Sequence, residues 1–189
     1  MFVSLVLAAT ACGTVSYDYS KELDPRKSEF VLGAADALKI TVWKNPEMSS
    51  DARIRPDGTI TMPLVGDLKA AGRTPGQLRA DITERLRAFV KDETSTVTVA
   101  VTEVNSYRFT VSGNVERGGI LSAKYYVTVA EALAMAGGLN KFATGFVTLI
   151  RSADTQPARR IPIDYRRITS GEHPEENLVL VSGDTLFVP

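Results

Sequence analysis

The chain has 189 residues, 44% hydrophobic and 23% charged, the balance of a globular protein with one ordinary domain or two small ones. Lysine plus arginine and aspartate plus glutamate each total 22, so the formal charge is zero and no basic surplus drives phosphate-based nucleic-acid binding. A single cysteine excludes an intrachain disulfide, and with a single histidine it leaves no cluster for structural zinc.

Residues 2–11 form an uncharged, mostly apolar run, too short to span a bilayer and of the length of a signal-peptide core. Its end, Ala8-Ala9-Thr10-Ala11, precedes Cys12. Small residues before a cysteine resemble the lipobox of bacterial lipoproteins, although Ala9 stands where leucine is usual. The other reading of Cys12 is an incidental buried thiol. Residues 13–28 are polar, with Tyr17, Tyr19 and Pro25, and read as a tether.

Ordered structure is expected from Phe30. Leu38, Ile40 and Val42 alternate with Lys39 and Thr41 in a strand that ends at Trp43, and Asn45-Pro46 breaks it. Pro56-Asp57-Gly58 is a turn: proline presets φ, Asp57 bonds back to the backbone, and Gly58 accepts positive φ. Beyond it Ile60, Met62 and Leu64 alternate with Thr59, Thr61 and Pro63. Residues 53–68 are therefore expected to form a hairpin with one wet face.

Thr74-Pro75-Gly76-Gln77 starts a helix, with a capping threonine, proline at the first helical position and glutamine completing a capping box. Leu78, Ile82, Leu86 and Phe89 recur on its apolar face. Val97, Val99 and Val101 then alternate with threonines in a further strand.

The second half opens with a strand over residues 107–112 and turns at Gly113-Asn114 and Arg117-Gly118-Gly119. Thr128-Val129-Ala130-Glu131 is a second capping box, and Gly137-Gly138 stops that helix where positive φ is needed. Strands are expected over residues 147–151, 160–163, 178–181 and 185–188, with a turn at Gly183-Asp184. Both halves mix strands with one capped helix, an α+β pattern.

Catalytic groups are hard to place. His173 lies in a polar loop and would be the only imidazole for a nucleophilic triad. Asp36, Asp57 and Asp184 each sit beside a turn, where aspartate has a backbone task, although paired carboxylates are within the composition. Trp43, Tyr125 and Tyr126 could stack on sugar rings, but core or interface packing is the expected role. The Arg159-Arg160 and Arg166-Arg167 pairs read as solvated faces, with an anionic polymer or a partner's acids as the other reading.

The order of motifs in residues 30–43, 45–49 and 55–66, followed by Thr74-Pro75 and its helix, resembles the polysaccharide biosynthesis/export family. The second half resembles a soluble-ligand-binding β-grasp (SLBB) domain through residues 111–119, 128–139 and 177–189. The positions that carry the resemblance are Asp36, Trp43, Arg55, Pro56, Asp57, Gly58, Pro63 and Gly66, then Gly113, Gly137, Gly138, Gly183 and Asp184. Gly33-Ala34-Ala35-Asp36 stands where the family has Gly-Pro-Gly-Asp, and a looser turn is expected there.

The resemblance implies a signal peptide over residues 1–11, a tether over 12–28, an export domain over 29–105 and an SLBB domain over 106–189. It implies a periplasmic lipoprotein on the outer membrane, lipidated at Cys12, without cofactor or catalysis. Copies would form a ring that conducts capsular or exopolysaccharide. An inner-membrane polysaccharide co-polymerase would be its partner, and a separate outer-membrane protein would supply the pore for this short form. The alternatives are a monomeric sugar- or peptidoglycan-binding lipoprotein and a hydrolase with paired carboxylates.

Overall fold

The computed structural model describes residues 17–89, 96–153 and 156–189. The expected signal segment, and Cys12 with it, lie outside the described residues.

The first half builds one small core. Strand β1 (Ala37–Val42) points Leu38, Ile40 and Val42 inward, as the alternation requires. It pairs antiparallel with β2 (Ser50–Arg53) on one side and, using labels in chain order, β5 (Val97–Glu103) on the other. A separate hairpin joins β3 (Thr59–Met62) to β4 (Gly66–Lys69). Helix α1 (Pro75–Leu86) covers the sheet with buried Leu78, Ile82 and Leu86. Its capping box is complete: Gln77 N–H donates to Thr74 Oγ1 at 3.2 Å and Thr74 N–H donates to Gln77 Oε1 at 3.0 Å.

Two expectations fail at the ends of these elements. The alternation of β3 stops at Met62. Leu64 takes a left-handed φ of 63° in the turn and is exposed. The hairpin turn is therefore Pro63-Leu64-Val65, not Pro56-Asp57-Gly58, which instead leads the chain into β3 by closing Gly58 N–H onto Arg55 O. Phe89 lies beyond the end of α1 and is 52% exposed, because the helix stops before the next buried position comes round.

The second half forms a five-stranded sheet in the order β7-β6-β10-β8-β9. Its strands are β6 (Arg108–Gly113), β7 (Gly119–Ser122), β8 (Phe146–Ala153), β9 (Gln156–Asp164) and β10 (Thr185–Val188). The last strand enters the middle, parallel to β6 and antiparallel to β8. Helix α2 (Val129–Met135) buries Val129, Ala132 and Leu133 with Phe109, Val111, Leu149, Ile161 and Leu186. It ends as expected: Gly137 N–H donates to Ala134 O and Gly138 N–H to Leu133 O, with φ of 82° and 89°. A short α3 (Tyr165–Ser170) was not expected, although Asp164 caps it and left-handed Gly171 ends it.

Residues 178–181 make only an isolated bridge, Thr128 to Val179, instead of a strand. Their backbone serves the start of α2: Val129 N–H donates to Leu178 O and Leu180 N–H donates to Val127 O. Those bonds leave the segment across the helix start and out of the sheet.

Candidate functional site

Two turns of the same type lie at and beside the contact between the halves. Residues 33–36 end in Asp36, and residues 181–184 end in Asp184. Each aspartate donates its N–H to the carbonyl three residues earlier and accepts that residue's N–H on its carboxylate. Each turn has a left-handed residue just before the aspartate, Ala35 at φ 74° and Gly183 at φ 90°. Both carboxylates are fully buried.

The free oxygens point at different partners. Asp36 Oδ1 accepts Asn105 N–H at 2.7 Å and Ser106 N–H at 2.8 Å, and its Oδ2 accepts Ser106 Oγ–H at 2.8 Å. It thus holds the segment that joins the two domains. With Gly33 N–H, four donors bond this one buried side chain, and among the described residues none of them is a cation. The turn predicted to be loose is closed, because these bonds hold Ala35 in a conformation that usually favours glycine. Gly33 permits the approach: a β-carbon there would collide with Ser106 Cβ. Ser106 also touches the second turn, since its carbonyl accepts Ser182 Oγ–H at 2.8 Å.

Asp184 instead meets Arg151. Arg151 Nη2 donates to Asp184 Oδ2 at 2.7 Å and Nε to Oδ1 at 3.1 Å. Arg151 Nη1 donates to Glu22 Oε2 at 3.1 Å, and Arg159 donates to both oxygens of Glu22. Tyr17 O–H completes the cluster by donating to Glu22 Oε1 at 2.5 Å. Burial alone would raise the Glu22 carboxyl, but the Tyr17 hydroxyl, Arg159 and Arg151 together hold it below the ordinary carboxylate range. Burial and the bond to Glu22 push the Tyr17 hydroxyl up to about 12. Among the described residues no buried side-chain nitrogen or oxygen lacks a partner.

This cluster changes the reading of residues 17–28. They carry short 3-10 turns at Tyr19–Lys21 and Pro25–Lys27 and lie along the protein as a strap. Tyr19 O–H donates to Pro162 O at 2.6 Å on the second domain, while Glu29, just beyond, accepts Gly76 N–H at the start of α1. Phe30 meets Tyr126 across the joint, their rings 6.2 Å apart. Beside these contacts runs an open, mainly apolar groove of about 940 Å³ that includes Leu23, Phe30, Arg53, Arg108 and Tyr126.

The remaining motif residues are dispersed. Arg55 donates to Thr59 Oγ1 and pairs with Asp67 at 3.0 Å on the exposed face of the β3–β4 hairpin. Asp57 accepts Thr59 N–H at 2.9 Å, its turn task. Gly58, Pro63 and Gly66 shape the two turns of that hairpin region. Gly113, at φ 90°, lets Val188 O come so close that any β-carbon would collide with it.

Of the remaining side chains, Trp43 and Tyr125 are not packed in the core, whereas the arginine pairs and His173 lie on solvated faces as expected. Trp43 and Tyr125 are 62% and 68% exposed, whereas only Tyr126 packs, edge-on to Tyr107 at 5.3 Å. Arg159, Arg166 and Arg167 are ion-paired to Glu22, Asp164 and Glu176. Sequence reasoning missed buried Arg151, Glu22 and Glu176. Arg151 does break the apolar alternation of β8, which was the available signal. His173 bonds Glu175 at 2.7 Å in its exposed loop.

The chain's likeness to known proteins falls along the same two halves. The sequence profile of the polysaccharide biosynthesis/export protein family matches residues 24–101, and that of the SLBB domain matches residues 108–156. This chain belongs to the polysaccharide export family and carries one SLBB domain. It is 28% identical to the exopolysaccharide production protein ExoF of Rhizobium meliloti, over 75% of this chain and 37% of ExoF. It is 30% identical to the EPS I polysaccharide export outer membrane protein EpsA of Ralstonia solanacearum, over 63% of this chain and 37% of EpsA. The polysialic acid transport protein KpsD of Escherichia coli is 21% identical over 65% of this chain and 22% of KpsD. The matches thus span about a third or less of these relatives. In the polysaccharide export chain the two matched segments flank the linker that Asp36 holds.

Proposed function

We propose that this chain is a non-catalytic periplasmic component of capsular or exopolysaccharide export. A lipid on Cys12 holds it at the outer membrane, and copies of the chain assemble into a ring that forms part of the conduit. An inner-membrane polysaccharide co-polymerase and an outer-membrane pore protein are its partners in this reading. The observation that carries it is the succession of an export domain and an SLBB domain in one chain, in common with relatives named for exopolysaccharide production, export or transport. The joint supports it physically. A wall segment must keep its domains in fixed relation while a long polymer moves past, and Asp36 ties them with short bonds from a fully buried position.

Deleting the gene tests the core of the proposal. Surface polysaccharide should fall and return on complementation, whereas normal export with no compensating paralogue would remove the reading. Cross-linking of membranes should give a ladder of the chain with itself, and purified protein should leave polymer length unchanged. Cys12→Ser should release the protein from the outer-membrane fraction.

A further inference from the structure

The only tryptophan of the chain is on the outside of the first sheet. Strand β1 ends at Val42, and Trp43 continues its line, donating its N–H to Thr96 O at 2.9 Å. The register places Thr41 opposite Thr98 in the same direction. Trp43, Thr41, Thr96 and Thr98 therefore share one exposed face and line one shallow hollow. Lys39 and Ala100, paired across β1 and β5, extend that face by one row.

The chemistry of this hollow is unlike that of a buried interface. It offers one broad aromatic face and three hydroxyls, with no aliphatic side chain among its lining residues. Those hydroxyls make no hydrogen bond to protein among the described residues, so each can still donate and accept. Protein contacts of core character gather several apolar side chains, whereas this face offers only Trp43 and Ala100 among hydroxyls and Lys39. A pyranose ring with equatorial hydroxyls has the complementary surface: an apolar C–H face for the indole and a rim of hydroxyls for the threonines.

We infer that Trp43, Thr41, Thr96 and Thr98 form a stacking platform for one gluco-configured pyranose unit of a polysaccharide chain. The inference rests on the export reading and adds to it a point of contact with the polymer. A single stacked ring held by exposed hydroxyls binds weakly, and weak contact suits a chain that must move on.

The sole tryptophan makes the site its own reporter. With full-length protein and cellohexaose as probe, Trp43 emission should change and saturate with a half-point near roughly 1 mM. In gels cast with hydroxyethyl cellulose, the wild type should be retarded. Trp43→Ala should lose at least about fivefold of that retardation, a difference of roughly 1 kcal/mol. Trp43→Phe should retain part, and Thr98→Val, which keeps shape and strand preference, should weaken it by about twofold to threefold. Melting curves of the variants should match the wild type, because the replaced side chains are exposed.

Unchanged emission at about 10 mM cellohexaose would overturn the platform, since that is well above the expected half-point. Retardation that survives Trp43→Ala would overturn it too, as would a change in oligomer size in that variant, which would assign Trp43 to a contact between copies. The two readings fail separately. Normal export in the deletion strain removes the export reading whatever the tryptophan does, and a silent tryptophan removes the platform while leaving export in place.

Discussion

Asp36 and Asp184 occupy equivalent places in two similar turns, one in each domain, and both are fully buried. Asp36 spends its remaining capacity on neutral donors from residues 105 and 106. Asp184 spends it on the guanidinium of Arg151. One turn is thus a joint between domains, and the other is the counter-charge of a cation inside a domain. The turn supplies a buried, pre-oriented carboxylate, and what lies opposite decides its task.

The difference should be largest in Asp184→Ala. Removing this partner leaves Arg151 buried beside Glu22 alone, a change that costs about 3–5 kcal/mol. Chemical denaturation should show the whole cooperative transition moved to lower denaturant by that amount, still as one step because the joint at Asp36 is intact. Asp36→Ala orphans several buried donors and should cost about 3 kcal/mol. Its distinguishing effect is on cooperativity: calorimetry should resolve two transitions where the wild type shows one. A single transition in Asp36→Ala would mean that the strap and the Phe30–Tyr126 contact suffice to couple the domains.

Glu22→Gln sharpens the comparison from the strap side, with an expected loss of about 2 kcal/mol as charged hydrogen bonds become neutral ones. The Glu22 carboxyl is held below its unperturbed value of 4.5 in the folded protein. The unfolded chain then binds the extra proton in acid, so this stability is present above about pH 4.5 and is lost as pH falls below it. Tyr17 has the opposite sign. Its folded value is raised from 10.0 to about 12, so its contribution holds below pH 10 and is lost as pH rises toward 12. Stability measured across both ranges should show an acid and an alkaline limb in the wild type, and Glu22→Gln should weaken both, the alkaline one only in part because the burial of Tyr17 remains.

The smallest effects come from the left-handed residues. A β-carbon at Gly183 meets nothing within 4 Å, so Gly183→Ala should cost only the backbone penalty, about 1 kcal/mol. Ala35→Gly runs the other way and should return a similar amount, about 1 kcal/mol, because the backbone penalty and the looser unfolded chain of glycine both simply change sign. Equal and opposite shifts in melting temperature would show that the two turns carry the same strain.

Local features were legible wherever neighbours along the chain decide them. The alternation of Leu38, Ile40 and Val42, the capping boxes at Thr74 and Thr128, and the glycine stop after α2 depend on contacts within a few residues, and all are present. Element ends were less legible. Leu64 and Phe89 continue a periodic pattern that the backbone abandons, because a turn and a helix terminus override side-chain spacing. The candidate site was legible only in part: the aspartates were recognisable as turn residues, but their partners were not.

The sequence by itself determined which segments turn, cap and alternate, since these follow from backbone preferences and from periods of two and 3.6 residues. Tertiary structure alone decided that β10 enters between β6 and β8, that Glu22 finds Arg151 across 129 positions, that Asp36 reaches a linker 69 residues away, and that Trp43 faces outward. Each of those outcomes depends on which distant surfaces pack together, and no local period encodes that choice.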